Sequence, residues 1–407
     1  MKDTVVIIGA GQAGGMSAIH LRQNKYTGNI IIIGEESFFP YQRPPLSKSF
    51  LSSDMDSSKL FLKSADYYSR NNIKIVTKTK VIKILKEKKY IVTSEDKKIN
   101  YDHLIISTGS SLNKFQSNNK SILYLKTLND SIKIRKQLIP GKSLTIIGGG
   151  YIGLELASIA IKNNLNVTIL ESDERLMSRV TSKDISSFFE KKHRSMGVMI
   201  KFNSQVTAIK QSDHGNTILC NDGSQYTSDL IFAGIGVKPN VKIAEEAGIE
   251  CDNGIVVNKF GQTSDKSIYA AGDCTNHPNS IFDTRLRLES VHNAVEQSKT
   301  VANNILGMNV SYTQVPWFWS DQYDLRLQIA GIKTDNNIKY KILDDKDSLS
   351  VIYLSNSRVK CVESVNRSQD FVAGKKLILS RKKIPNELIT NKNYGLKEIF
   401  KIMSINK

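Results

Sequence analysis

Val5-Val6-Ile7-Ile8-Gly9-Ala10-Gly11-Gln12-Ala13-Gly14 opens the chain, and Leu144-Thr145-Ile146-Ile147-Gly148-Gly149-Gly150-Tyr151-Ile152-Gly153 repeats its plan far downstream. Each stretch reads as an apolar strand, a tight glycine turn and the start of a helix. The first glycine permits the sharp turn out of the strand. The second lets the backbone approach a pyrophosphate where any Cβ would collide, and the third lets helix and strand pack closely. The phosphates then face free N–H groups and the positive end of the helix dipole.

An acid follows each turn. Ile30-Ile31-Ile32-Ile33-Gly34 ends at Glu35, and Val167-Thr168-Ile169-Leu170 ends at Glu171. Each glutamate falls about 20 residues past its last glycine, where a carboxylate takes ribose hydroxyls. Glu171 argues for NADH over NADPH, because a carboxylate there repels a 2′-phosphate; Arg175 and Arg179 lie nearby and would soften that preference. Two dinucleotides facing each other in one chain are how a flavoprotein passes electrons onward from a nicotinamide.

Composition bounds the rest. The 407 residues suffice for two or three domains, and 40% hydrophobic with 24% charged content places the chain among soluble globular proteins. No run approaches the roughly 18 to 20 apolar residues of a membrane helix. The first strand starts almost at once, which leaves no room for a signal peptide, so the expected compartment is cytoplasmic with no membrane partner. Cys220, Cys251, Cys274 and Cys361 form no CxxC or CxxxxC pair. That removes the redox-active disulfide by which many two-nucleotide flavoenzymes reach thiols. The cysteines read instead as small buried apolar residues. The six histidines do not cluster, and His292 reads as structural. No metal spacing is present, so an iron–sulfur cluster would belong to a partner. The net charge of +18 has three readings: docking of an acidic protein, binding of nucleic acid, or drift in a lysine-rich composition. The basic residues are scattered, as in Lys86-Glu87-Lys88-Lys89 and Arg381-Lys382-Lys383, which speaks against nucleic acid.

Along the chain, Phe38 to Ser49 carries Pro40, Pro44 and Pro45, which are expected to forbid a regular element there. Short strands are expected around Ile73–Val76, Val81–Leu85, Tyr90–Thr93 and Leu230–Ala233, and a helix from Ser290 to Leu306. From Pro316 the pattern alternates, and the Lys-rich terminus is expected to be mobile. The fold class is therefore α/β, with two Rossmann-type domains and a C-terminal α+β domain. Residues 1–109 and 238–315 form the first domain, 110–237 the second and 316–407 the third.

Five stretches occur in one order: Pro44-Pro45-Leu46-Ser47-Lys48, Gly148 to Glu155, Tyr269-Ala270-Ala271-Gly272-Asp273-Cys274, Arg287-Leu288-Glu289-Ser290-Val291 and Pro316-Trp317-Phe318-Trp319-Ser320-Asp321-Gln322. The chain thereby resembles, over essentially its whole length, the NADH-dependent ferredoxin reductases of bacterial oxygenase systems. The tryptophan stretch separates that group from the disulfide reductases. The resemblance implies a glutathione-reductase-like fold with FAD, NAD and C-terminal domains. It also implies hydride transfer from NADH to FAD, then single electrons to a [2Fe–2S] ferredoxin. Carried residue by residue, it places Gly9, Gly11, Ala13 and Gly14 at the FAD pyrophosphate and Glu35 at its ribose. Lys48 falls beside the flavin, the Val81 backbone near the adenine, Gly272 and Asp273 at the ribityl and phosphate region, the Val291 N–H at the pyrimidine edge, and Trp319 near the isoalloxazine. In the NAD half, Gly148, Gly150, Tyr151, Ile152, Gly153, Glu171 and Gly236 match. Lys126 stands where relatives often carry arginine, and it loses the bidentate fork.

The residues support the same chemistry. A helix N-terminus at Val291 would stabilise a reduced, anionic flavin. Lys48 follows a rigid double proline, and Glu155 sits on the first turn after the second glycine motif. Lys48 and Glu155 are expected to pair, either as a device at flavin N5 or as an ordinary ion pair between domains. Trp319, like Trp317, is either a stacking partner or core. The expected catalytic set is Lys48, Glu155 and Trp319. The activity implied is that of an FAD-dependent NADH:ferredoxin oxidoreductase serving a cytochrome P450 or a ring-hydroxylating dioxygenase through a small acidic iron–sulfur protein. The alternatives are a rubredoxin reductase or NADH oxidase on the same fold, or a basic binding flavoprotein resembling apoptosis-inducing factor.

Overall fold

The computed structural model describes residues 3–53, 55–115, 121–212, 215–334, 338–345, 347–391 and 394–405. The chain divides into two compact units. The first comprises Met1–Arg43, Asp56–Ser111 and Val237–Pro316; the second comprises Pro44–Met55, Leu112–Gly236 and Trp317–Lys407.

In the first unit, Thr4–Ile8 leads through the helix Gln12–Gln23 to the parallel strand Asn29–Ile33. The five-stranded sheet runs Ile268–Ala270, His103–Ile106, Thr4–Ile8, Asn29–Ile33, Ile73–Val76, all parallel. Its strands are near-continuous β-branched runs because both faces are covered. Val5, Ile7, Ile30 and Ile32 pack into one core cluster and Val6, Ile8 and Ile33 into another. Each such side chain contributes about 1.5–3 kcal/mol on burial. The helix Val291–Ile305 lies against Gln12–Gln23, and the Ser298 hydroxyl reaches the Ala13 carbonyl at 2.8 Å. Ala13 also sits against Gly272, where an added Cβ would come within 3.0 Å of the Ala13 Cβ. A three-stranded antiparallel sheet, Val81–Leu85, Tyr90–Thr93 and Lys98–Asn100, completes the pattern.

The second unit repeats it. Ser143–Ile147, the helix Tyr151–Lys162 and Asn166–Leu170 form the same strand–helix–strand unit with the same register length. The parallel sheet runs Met199–Lys201, Asn166–Leu170, Ser143–Ile147, Leu230–Ala233, Ile122–Leu123, and Val206–Ser212, Gly215–Cys220 and Gln225–Ser228 make the antiparallel companion. The same unit holds a five-stranded antiparallel sheet ordered Trp317–Gln322, Leu325–Gly331, Arg358–Val365, Ser348–Ser355, Ile338–Asp345. The helix Ser368–Ser380 covers it, and Gly374 permits the contact, since a Cβ there would lie 2.5 Å from Val362.

Two expectations are corrected. The proline-rich stretch is not irregular throughout: Pro44–Ser47 forms one 3₁₀ turn and Ser49–Ser52 one helical turn. Prolines are tolerated at a first turn, whose N–H groups have no intrahelical partner, and the N–H of Lys48 closes the turn on the Pro45 carbonyl at 3.0 Å. The C-terminal stretch is not loose either. Leu396–Ile405 is a helix that packs on Ser368–Ser380 and buries Leu396 and Ile399.

Candidate functional site

The two glycine turns have matching geometry. Gly9 and Gly148 take φ of +108° and +100° and donate to Ile33 and Leu170 at 2.8 Å each. A Cβ on Gly14 would fall 1.9 Å from the Gly9 carbonyl oxygen, and one on Gly153 2.4 Å from that of Gly148. The protein's own backbone therefore demands these glycines. Gly11 and Gly150 differ. Their φ values, −84° and −81°, suit any residue. No described atom lies within 4 Å of a Cβ built on either. Among the described residues nothing requires glycine at either position, and each leaves open space beside the helix end. Neither helix has a side-chain N-cap or an acid in its first turn, Glu155 falling just past the first turn rather than on it as expected, which leaves the leading N–H groups for an anion. These cradles fit the pyrophosphate of a dinucleotide, twice.

The first unit holds Gly9, Gly11, Ala13, Gly14, Glu35, Val81, Gly272, Asp273 and Val291. Glu35 is exposed, 3.7 Å from Lys80. Its neighbour Glu36, absent from the expected set, takes the stronger contacts: the Tyr41 hydroxyl and an Arg43 N–H donate to it at 2.6 Å each. Val81 is buried at the start of its strand. Gly272 turns at φ +90°, and Asp273 Oδ2 accepts from Ser110 at 3.0 Å. Val291 is the first helical residue after its cap Ser290, which accepts from the Asn293 N–H at 3.1 Å. Gln297, also unforeseen, ties this helix to the glycine turn: its Oε1 accepts from the N–H of Gly272 at 2.8 Å and from Thr275 at 2.9 Å.

The second unit holds the remaining residues. Glu171 is buried, and its carboxylate accepts from the N–H of Gly149 at 2.6 Å and of Asp173 at 2.9 Å. It thereby shapes the glycine turn. Arg175 donates to the carbonyls of Ser178 and Thr181, so its guanidinium is committed to its own loop. Arg179 is exposed, and its Nη2 lies 3.8 Å from a Cβ built on Gly236. Tyr151 stacks on Phe318 with centroids 4.4 Å apart, and burial pushes its phenol up. Ile152 is exposed. Lys126 is half-buried, and its N–H joins that of Thr127 on Asp130 at the start of a helix.

Lys48 Nζ lies 2.8 Å from Glu155 Oε2. Glu155 is 1% exposed, and it also accepts from Ser47 at 2.5 Å and Ser320 at 2.6 Å. Burial pushes this carboxyl up; the Lys48 ammonium and the two hydroxyls pull it back. Lys48 Nζ also stands 5.9 Å from the Trp319 ring centroid, and Trp317 lies 5.5 Å from Trp319. Lys48, Glu155 and Trp319 are thus brought together. Ser47 and Ser320 were missed, although each adjoins a residue already singled out. All four cysteines are free. Among the described residues no cluster could hold a metal ion, and no helix is long and apolar enough to cross a membrane.

Residues 3–298 match the family described as pyridine nucleotide-disulphide oxidoreductase, and residues 317–400 that described as reductase C-terminal. This chain belongs to the pyridine nucleotide-disulphide oxidoreductase family. Putidaredoxin reductase of Pseudomonas putida is 38% identical, with 98% of this chain and 97% of that protein aligned. A rubredoxin-NAD(+) reductase of Pseudomonas putida is 36% identical over 89% of this chain and 95% of its own length. The reductase of a covalent putidaredoxin reductase–putidaredoxin complex superposes with a TM-score of 0.94 at 36% identity, covering 99% of both chains. This chain of the pyridine nucleotide-disulphide oxidoreductase family carries no CxxC or CxxxxC pair.

The cradle geometry separates two kinds of glycine replacement. Gly14→Ala is expected to destabilise the protein by about 2–4 kcal/mol, because backbone must move. Gly11→Ala is expected to fold within about 1 kcal/mol of wild type but to lose FAD, and Gly150→Ala to keep FAD while its KM for NADH rises about tenfold. Thermal unfolding with flavin released by acid and counted per chain checks stability and FAD content in all three, and steady-state NADH kinetics checks the KM of Gly150→Ala. Equal loss of stability in Gly11→Ala and Gly14→Ala contradicts the assignment.

Proposed function

We propose that this chain is an FAD-containing, NADH-dependent reductase that passes single electrons to a ferredoxin, specifically a small acidic [2Fe–2S] protein feeding a cytochrome P450 or a ring-hydroxylating dioxygenase. The observation that carries the reading is the pair of cradles whose middle glycines, Gly11 and Gly150, have no described atom beyond their chain neighbours within 4 Å of a built Cβ. Family membership and the similarity to putidaredoxin reductase support it. The cytoplasm is the proposed compartment. FAD is assigned to residues 1–109 and 238–315 and NADH to 110–237, with 316–407 as the C-terminal domain.

When bound, these two groups supply hydride transfer from nicotinamide C4 to flavin N5 and release of the pair one electron at a time. The protein's part is alignment and electrostatics. Gly9, Gly11, Ala13 and Gly14 hold the FAD pyrophosphate, Glu35 its ribose, and the Val81 backbone its adenine. Gly272 and Asp273 hold the ribityl and phosphate region, Lys126 reaches a phosphate, and the Val291 N–H meets the pyrimidine edge. Gly148, Gly150, Tyr151, Ile152, Gly153 and Gly236 hold NADH. Glu171 selects against a 2′-phosphate. Because Arg175 gives two of its N–H groups to the Ser178 and Thr181 carbonyls, Arg179 is the freer of the two to soften that choice. Lys48, fixed by Glu155, keeps water from the hydride path with Trp319 beside it.

The chain carries no CxxC or CxxxxC pair of the kind that receives electrons in disulfide reductases, and its four cysteines are free. The charge of +18 supports an acidic acceptor met by electrostatic steering. The rubredoxin-NAD(+) reductase relative keeps rubredoxin as a second candidate acceptor. Acceptor titration of the holoprotein decides between them: turnover with a [2Fe–2S] ferredoxin is expected to exceed turnover with rubredoxin. Ferredoxin reduction is expected to fall about tenfold from low to high salt while NADH-to-ferricyanide activity stays nearly level. Equal salt sensitivity in both assays removes electrostatic docking. Lys48→Ala and Glu155→Ala are each expected to slow anaerobic flavin reduction about tenfold, a barrier increase of ~1.4 kcal/mol. Unchanged rates leave the pair as an ordinary ion pair.

A further inference from the structure

Trp319 is the only part of the Trp317–Gln322 strand that the proposed function uses. Side chains along a strand alternate between faces. Phe318, Ser320 and Gln322 share one face, and each meets an element of the dinucleotide-binding part of the same unit: Phe318 meets Tyr151, Ser320 meets Glu155, and Gln322 meets His193. The Gln322 Nε2 is 3.2 Å from Ser320 Oγ, its Oε1 is 2.9 Å from His193 Nε2, and the Tyr323 hydroxyl is 3.1 Å from His193 Nδ1. Ser320, Gln322, His193 and Glu155 are all buried.

The direction of every bond follows from its end. An ionised carboxylate can only accept, so Ser320 donates its one proton to Glu155. The Ser320 oxygen then accepts from the Gln322 amide N–H. That turns the Gln322 carbonyl toward His193, whose Nε2 must carry a proton. Its Nδ1 is then bare and accepts from Tyr323. Burial lowers the imidazole to about 4, in keeping with a neutral ring. The whole chain donates toward Glu155, and aligned bonds in a dry interior polarise one another.

We propose that Ser320, Gln322 and His193 are positioning residues, a one-way chain of hydrogen bonds from Tyr323 that keeps the Glu155 carboxylate ionised and aimed at the Lys48 ammonium. The inference rests on the reading of Lys48 and Glu155 as neighbours of the flavin. The charged and titratable groups facing Glu155 are Lys48 and, one turn earlier on its own helix, Tyr151. Those facing His193 are Tyr323 and, beside it, the Lys192–Asp324 pair at 2.7 Å. A merely structural chain would affect unfolding alone. A positioning chain also sets the pH at which Glu155 takes a proton.

The test compares wild-type holoenzyme with Ser320→Ala, Ser320→Thr and Gln322→Met. The protonated-carboxyl infrared band of Glu155, assigned by its loss in Glu155→Gln, is followed against pH. Anaerobic single-turnover bleaching of the flavin by NADH is measured over the same range. Loss of a donor destabilises the anion, so Ser320→Ala is expected to move the protonation midpoint up by about one unit. The acidic limb of the bleaching rate moves with it: about tenfold slower at low pH, within about twofold of wild type at high pH. Ser320→Thr restores the wild-type profile, and Gln322→Met shifts it the same way by less. Midpoints and limbs unmoved in Ser320→Ala and Gln322→Met, or Ser320→Ala and Ser320→Thr behaving alike, overturn the proposal. If Ser320→Ala does not fold, Gln322→Met decides by the same two readouts. A wild-type flavin that NADH does not bleach contradicts the functional reading instead, and the infrared midpoint still decides the chain of hydrogen bonds.

Discussion

The contact on which the rest depends is backbone against backbone: Gly14 on the Gly9 carbonyl, and Gly153 on that of Gly148. A helix can start this close to the strand that feeds it only where no Cβ intervenes. The closeness brings the leading N–H groups of the helix to the carboxyl edge of a parallel sheet. Every strand of the two parallel five-stranded sheets adds to that edge, and in open α/β sheets such edges are where ligands bind. The apolar strands, the small residues where the helices cross and the positive-φ glycines all serve to hold these two ends in place.

A second constraint acts inside the second unit. Glu155 is an ionisable group almost wholly removed from water, which is tolerable only when paired and hydrogen-bonded. Its three side-chain partners come from a proline-fixed turn and from a strand of the antiparallel sheet: Ser47 and Lys48 from the one, and Ser320, itself bonded to Gln322, from the other. One buried carboxylate thus joins three stretches of chain that are distant in sequence. A hydrophobic replacement could pack as well, but it could not orient an ammonium.

Much of this was legible in the residues, because its causes are local. Glycine spacing is set within one turn, so both cradles could be read. The β-branched runs gave Asn29–Ile33 and Asn166–Leu170, and alternation gave the strands after Pro316. The prolines misled because their missing N–H matters inside a helix and not at its first turn. The terminal helix was hidden because its lysines face water while Leu396 and Ile399 find a cover only in the fold. The commitment of Arg175 to the Ser178 and Thr181 carbonyls depends on how one loop closes, which spacing does not state. The bond between His193 and Gln322 joins residues with no local relation, and only tertiary structure could disclose it.

The central claim is that one cradle keeps a flavin and the other receives a nicotinamide. Anaerobic reductive titration of the purified protein, with the bound flavin then released and counted, tests it most directly. The account predicts about one FAD per chain, bleached in full by about one equivalent of NADH and far more slowly by NADPH. A colourless protein that takes up no flavin, or a yellow one that NADH leaves oxidised, would contradict it.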